Sequence, residues 1–220
     1  MKARMFVIYG LSAAILAACG GPATTSYHLT FDTQDPGDVS MLTTATVRVM
    51  QRRLDRLGAE LFGQHVVQDA EGANLEITAS DKGALDELTA EMTAPFDLDI
   101  MVATTGSGDV AVEGYGSFAK TGVTGDDIRM VLAKAADNGV GASVQIRFTD
   151  DGLAKMRDLF KKNVGKDLGL FVRGRLVSAL TVKSAELPNP LVIDGIPDAE
   201  LATIFADDVN VGIHVTVTPL

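Results

Sequence analysis

Apolar and polar positions along the chain sort into two groups of elements. Tyr27, Leu29 and Phe31 alternate with polar residues and predict a short strand. Val47, Met50, Leu54, Leu57 and Leu61 recur at steps of three and four, with Arg48, Arg52, Arg53, Asp55 and Arg56 between them, the pattern of an amphipathic helix. Val66-Val67 and Leu75/Ile77 flank a turn at Asp69-Ala70-Glu71-Gly72 and predict a hairpin. Leu85, Leu88 and Met92 mark a second helix with Ser80 as its expected N-cap. Phe96, Leu98, Ile100 and Val102 alternate as a fourth strand. Residues 27–104 thus follow the order β-α-β-β-α-β, the ferredoxin-like unit.

Periodicity stops over residues 105–122, a stretch rich in Gly, Ser and Thr that is expected to be a linker loop. A second lobe is expected over residues 123–206. Thr124 and Asp127 have capping-box spacing ahead of a predicted helix carrying Ile128, Val131, Leu132 and Ala135. Val144, Ile146 and Phe148 form a strand, and Thr149 caps a helix bearing Leu153, Met156, Leu159 and Phe160. Leu168–Val172 and Leu176–Val182 are strands joined by a tight turn at Arg173-Gly174. A short helix over residues 198–205 precedes a C-terminal strand within 207–220, where Val209, Val211, Ile213, Val215 and Val217 alternate. Chain ends commonly lie close together, so this strand is expected to return to the first lobe. The fold class is α+β in two lobes, a ferredoxin-like base and a smaller α+β head.

The N-terminus adds an address. Lys2 and Arg4 precede an apolar stretch, Met5–Ile15, too short to span a bilayer, and Leu16-Ala17-Ala18-Cys19 follows. Residues 1–18 resemble a bacterial lipoprotein signal peptide, which makes Cys19 the lipidated residue and residues 19–26 a flexible tether. Cys19 is the one cysteine of the chain, so no intrachain disulfide can form, and lipidation accounts for a lone thiol in an exported protein. The expected location is the cell envelope, anchored to the bilayer through acylated Cys19 and facing the periplasm. Gly20, standing where an Asp would signal inner-membrane retention, favours the outer membrane slightly.

The net charge of −10 argues against nucleic acid, whose phosphates need Lys and Arg, and the absence of Trp argues against an aromatic sugar or nucleobase platform. The acidity is uneven. Residues 143–185 gather Arg147, Lys155, Arg157, Lys161, Lys162, Lys166, Arg173, Arg175 and Lys183 against only Asp150, Asp151, Asp158 and Asp167. This basic stretch is either a solvated face or a docking surface. Arg157 and Lys161 share a helix face, and Arg173 and Arg175 flank a hairpin tip; these four are the candidate partner-binding residues.

A family resemblance lies in the second lobe. The run from Asn163-Val164-Gly165-Lys166 through Phe171-Val172-Arg173-Gly174-Arg175 to Ser178-Ala179 resembles the signature of the head subdomain in the first periplasmic domain of SecD. Phe148-Thr149-Asp150-Asp151-Gly152-Leu153-Ala154 is similar to that family's strand, acidic turn, glycine and helix start. Ile193-Asp194-Gly195 followed by Ala199-Glu200-Leu201-Ala202 resembles its downstream motif, and the Arg/Leu helix at 49–57 with Val66-Val67 resembles its base. Two positions depart. Arg173-Gly174 stands for the family's Asp-Gly, which points to another turn type, and Leu180 stands for a usual proline. The family's membrane helices, with their charged proton-coupling residues, are not seen. The resemblance therefore implies a fold and a polypeptide-binding surface, not proton-driven translocation. A structural adaptor docking one folded envelope partner, unrelated to secretion, is the alternative.

Catalytic chemistry is not expected. His28, His65 and His214 are scattered without metal-ligand spacing, His214 being placed on the polar side of the C-terminal strand, so no metal is expected. Gly114-Tyr115-Gly116-Ser117-Phe118-Ala119 formally matches a dinucleotide fingerprint, but no helix start follows it, and neither nucleotide nor other cofactor is expected. Asp126-Asp127 and Asp150-Asp151 fall in expected first turns of helices, and Asp207-Asp208 in an expected turn.

Overall fold

The computed structural model of the chain describes residues 21–69, 71–136 and 141–220. The signal peptide and Cys19 lie outside the described residues, as does Ala70 of the first hairpin turn.

The base comprises β1 (Ala23–Phe31), α1 (Pro36–Arg56), β2 (Leu61–Gln68), β3 (Ala73–Ala79) and α2 (Lys82–Thr93), completed by β12 (Val215–Pro219) from the far end of the chain. The strand order is β12-β1-β3-β2 with antiparallel neighbours throughout, the ferredoxin-like order. Asp35 caps α1, accepting from Gly37 N at 2.8 Å and Asp38 N at 3.1 Å, and Pro36 follows where its missing N–H costs nothing. Asp81, not Ser80, caps α2 by accepting from Ala84 N at 2.7 Å; Ser80 Oγ instead accepts from Glu60 N. Met50 and Leu54 of α1, with Leu85 and Leu88 of α2, bury against Tyr27, Leu29, Leu75 and Ile77 of the sheet.

The C-terminal strand returns to the base, as the closeness of chain ends predicts, and it does so as the sheet's fourth strand. The strand expected in that role, β4 (Leu98–Thr104), leaves for the head. Burial explains the exchange. An outer strand of a one-sided sheet needs one apolar face, and Val215 and Val217 supply it with Thr216 and Thr218 outward. β4 has apolar residues on both faces, Leu98, Ile100 and Val102 on one and Met101 and Ala103 on the other, which suits an interior strand.

In the head, β4 lies between β6 (Gly116–Thr124) and β9 (Asp167–Val172), in a five-stranded antiparallel sheet of order β10-β9-β4-β6-β5 that also includes β5 (Val110–Val112) and β10 (Arg175–Thr181). A second sheet has the order β11-β8-β7, built from β7 (Ile128–Ala135), β8 (Ala142–Phe148) and β11 (Leu191–Ile196). With α3 (Asp150–Lys162) and α4 (Ala199–His214), the two sheets enclose one core around Ile100, Val131, Ile146, Met156, Leu170 and Val209.

Three sequence expectations are corrected here. Residues 105–122 are not a linker, because β5 and most of β6 fall there and Phe118 is fully buried against Phe171. Ile128–Ala135 is a strand, not a helix. A β-bulge between Ile128 and Met130 resets the alternation, so that Ile128 and Val131 both enter the head core, and that spacing of three imitates a helical stripe. The last helix runs to His214 rather than ending at residue 205, so Val209, Val211 and Ile213 belong to α4 and not to a strand.

Candidate functional site

The extra turns of α4 carry the polar groups that join the lobes. Asp207, Asn210 and His214 are buried, and their spacing of three and four places them along one side of the helix. Asp207 accepts from Arg48 Nε at 2.9 Å and Arg48 Nη2 at 2.6 Å, a two-pronged pair, and from Arg52 Nη1 at 3.0 Å. The hydrogen bond to Asp207 holds the Arg48 guanidinium above its ordinary pKa. Asn210 donates to Val131 O at 2.7 Å and accepts from Val131 N at 2.8 Å, so its amide satisfies the free edge of β7 as another strand would. His214 Nδ1 lies 2.6 Å from Asp32 Oδ2 in the loop after β1. A carboxylate only accepts, so Nδ1 carries a proton, and Nε2 is buried with no partner among the described residues. Val211 packs on Ala45 and Val49 of α1, and Gly212 lies directly against the Phe96 ring.

Two clefts flank this joint and meet at Gly125, Asp126 and Ile213. The smaller, about 250 Å³, has Leu42, Ile128 and Met130 in its lining together with Asp32, Asp38, Arg129 and His214. The larger, about 620 Å³, is lined by Phe96, Leu98, Met101 and Val110 beside Asp97, Asp99 and Lys120. Lys120 pairs with Asp99 at 3.2 Å. Asp38, Asp97 and Asp126 make no ion pair among the described residues.

The four basic residues singled out in the sequence are all exposed, but they do not form one patch. Arg157 and Lys161 stand on α3, free of ion pairs among the described residues. A short turn after α3 leads into the start of β9, and Arg173 lies at that strand's other end, about 20 Å away by strand rise. Arg173 turns toward the base: its N–H donates to Asp97 O, and its guanidinium carbon stands 5.6 Å from the centre of the Phe96 ring. Its charge also acts on Arg53 of α1. Burial pushes the Arg53 guanidinium below its ordinary pKa, opposed by Asp208 and Glu91 and reinforced by Arg173 and Arg56. Arg175 opens β10 on the exposed side.

The turn at Arg173 is the tight type after all. Arg173 has φ 49° and Gly174 φ 73°, both left-handed as a type I′ hairpin requires, and the Phe96 contact accompanies the cost of arginine there. Gly174→Ala should lower the unfolding free energy by about 1 kcal/mol, because no atom lies within 4 Å of an added Cβ and only the left-handed penalty acts. An unchanged urea midpoint would contradict that geometry.

The aspartate doublets divide. Asp150 and Asp151 occupy the first turn of α3, where the helix dipole favours them. Asp126-Asp127 sits in a 3-10 turn, Gly125–Asp127, and not in an α-helix; Asp127 is buried and accepts from Lys155 Nζ at 2.8 Å and from Thr124 N at 3.0 Å. Asp207-Asp208 is inside α4, not in a turn. The residues that sequence reasoning missed are the joint itself. The available signal was Arg48 and Arg52, two arginines four apart beside the apolar stripe of α1, which need acidic partners from elsewhere in the chain. Gly114–Ala119 spans the turn after β5 and the start of β6, with no helix to receive a phosphate. Among the described residues, no group of three or more His, Cys, Asp or Glu is placed to hold a metal ion, and no helix is long and apolar enough to cross a membrane.

Residues 108–212 match the family described as the SecDF P1 head subdomain, a span that takes in β5 and β6 as well as the lobe expected from residue 123. No curated protein matches the chain. Among solved structures it is similar to SecDF from Thermus thermophilus, a translocon-associated membrane protein, at 16% identity and TM-score 0.51, covering 91% of this chain and 30% of that one. SecDF in a super-membrane-facing form matches at 18% identity and TM-score 0.50, over 90% of this chain and 30% of that one. A third structure, of the membrane component SecDF that enhances protein export, matches at 17% identity and TM-score 0.49, over 90% of this chain and 97% of that one. The chain thus spans about a third of two of these SecDF chains. With the match over residues 108–212 and the two-lobed fold shared over nine-tenths of its length, this chain has a SecD-like fold, and residues 108–212 are similar to the SecDF P1 head subdomain.

Proposed function

We propose that this protein is a lipid-anchored, non-catalytic envelope module that binds polypeptides in connection with protein export. The match of residues 108–212 to the SecDF P1 head carries the reading. The lipobox at Leu16–Cys19 supplies the anchor, with the acylated Cys19 in the bilayer. The route of the chain supports the arrangement. β1 begins at Ala23, paired with Ala79, and runs nine residues to Phe31 beside the interlobe joint. The tether expected over residues 19–26 is cut short, because residues 23–26 already belong to β1 and pair with β3; from Cys19 the chain enters the base at the end remote from the head, and about 30 Å of strand separates them. The head then faces the periplasm, within reach of polypeptides.

Crosslinking in living cells tests this, with photoreactive residues placed singly at Lys161 on α3 and Arg175 on β10. Adducts to translocase subunits or to many different exported chains are expected. One folded envelope protein as the sole adduct would replace this reading by the structural adaptor.

A further inference from the structure

We infer that the acidic clefts at the waist are a docking surface for an extended polypeptide, and that they select segments combining apolar with cationic side chains. The inference rests on the polypeptide-binding reading above and names the class of segment bound.

The two clefts adjoin, with Gly125, Asp126 and Ile213 lining both, so one extended segment lying across those residues reaches the two. Their linings are the composition such a segment needs. Ile213 in both clefts, and Phe96 and Val110 in the larger, are half-buried and offer apolar surface. The charges around them are mostly of one sign. Asp99 is countered by Lys120 and Asp32 is bonded to His214, but Asp38, Asp97 and Asp126 have no cationic partner among the described residues, and Arg129 alone faces them in the smaller cleft. Exposed carboxylates of one sign over a low-dielectric lining raise the local concentration of cations.

A second observation points the same way. His214 lines the smaller cleft with its side chain 7% exposed, and Asp32 fixes a proton on Nδ1. Nε2 is left without a partner among the described residues, a polar group that a bound segment can satisfy. Gly174 in the larger cleft has open space where a side chain would stand, so an extended chain can lie close to its backbone.

The test uses the full lipidated chain in nanodiscs of zwitterionic lipid, with empty nanodiscs as the blank and fluorescence anisotropy of short labelled peptides as the readout. Three peptides share one apolar pattern and carry Lys, Ser or Glu between the apolar residues. The Lys peptide is expected to bind about tenfold more tightly than the Glu peptide and to lose most of that advantage at about 0.5 M salt. The combined variant Asp38→Asn, Asp97→Asn, Asp126→Asn, which removes no ion pair and should keep the circular dichroism of the parent, is expected to weaken the Lys peptide about fivefold or more. Equal binding of the Lys and Glu peptides, or an unchanged affinity in the Asn variant, would overturn the groove assignment and leave polypeptide binding standing. Failure of all three peptides to bind would overturn both.

Discussion

Asp207→Ala is expected to lower the unfolding free energy by about 3 kcal/mol, the low end for breaking a buried charge pair. The carboxylate side chain is 6% exposed and holds two guanidinium groups, Arg48 at 2.6 Å and Arg52 at 3.0 Å. Those arginines are 44% and 28% exposed, so after the substitution they recover part of their hydration, which keeps the loss from the upper end of the range. The second contribution is packing: Asp207 lies one helical turn from Val211, and loosening α4 loosens Val211 from Ala45 and Val49. Urea unfolding followed by circular dichroism measures the change. Arg48→Ala should cost less, because Asp207 keeps Arg52, and the double variant should cost less than the sum of the two single changes. A loss under about 0.5 kcal/mol for Asp207→Ala would mean that the lobes are held by apolar contacts alone.

What the sequence discloses and what it hides follow from the range of the interactions involved. The hairpin of β2 and β3, helix α3 with its Thr149 cap, and the β9–β10 hairpin are set by neighbours within a few residues, and each stands close to where periodicity and turn residues put it. β4 and β12 have similar alternation. Which of them completes the base is decided by whether one face or both must be covered, and that depends on strands from across the head. α4 shows the same conflict within one segment. Its Val209-Asn210-Val211-Gly212-Ile213 alternates as a strand does and is poor in helix formers, yet Asp207, Asn210 and His214 find α1, β7 and the loop after β1 only along a helix. Tertiary pairing there outweighs local preference. The acidic groove was the least legible feature. Asp32 and Asp38, Asp97 and Asp99, and Asp126 come from three separate stretches of chain, each unremarkable alone, whereas the basic residues of the head cluster in sequence and are spread apart in space.

Gly152→Ala should be the second severe change, at about 3 kcal/mol, although alanine is the better helix former by about 1 kcal/mol. An added Cβ would stand 2.1 Å from Asp127 O and within 2.9 Å of Asp127 C, and neither backbone atom can step aside without moving the 3-10 turn. That contact is where α3 is fastened to the sheets. Thr149 N donates to Asp127 O at 2.9 Å, Thr149 Oγ1 caps the helix through Gly152 N at 3.1 Å, and Lys155 reaches the Asp127 carboxylate one turn later. The glycine in the Phe148–Ala154 motif thus serves a close approach of two backbones, and the flanking Thr149, Asp150 and Asp151 cap and charge the helix it admits. Asp151→Ala, exposed and in the same turn, is the control and should change stability by no more than about 0.5 kcal/mol. Because the displaced turn also carries Asp126 at the meeting point of the two clefts, Gly152→Ala should weaken the cationic peptide even at temperatures where the variant remains folded. Parent-like stability in Gly152→Ala would mean that α3 can ride away from the turn at little cost, and that the close approach of Gly152 to Asp127 is not what the motif maintains.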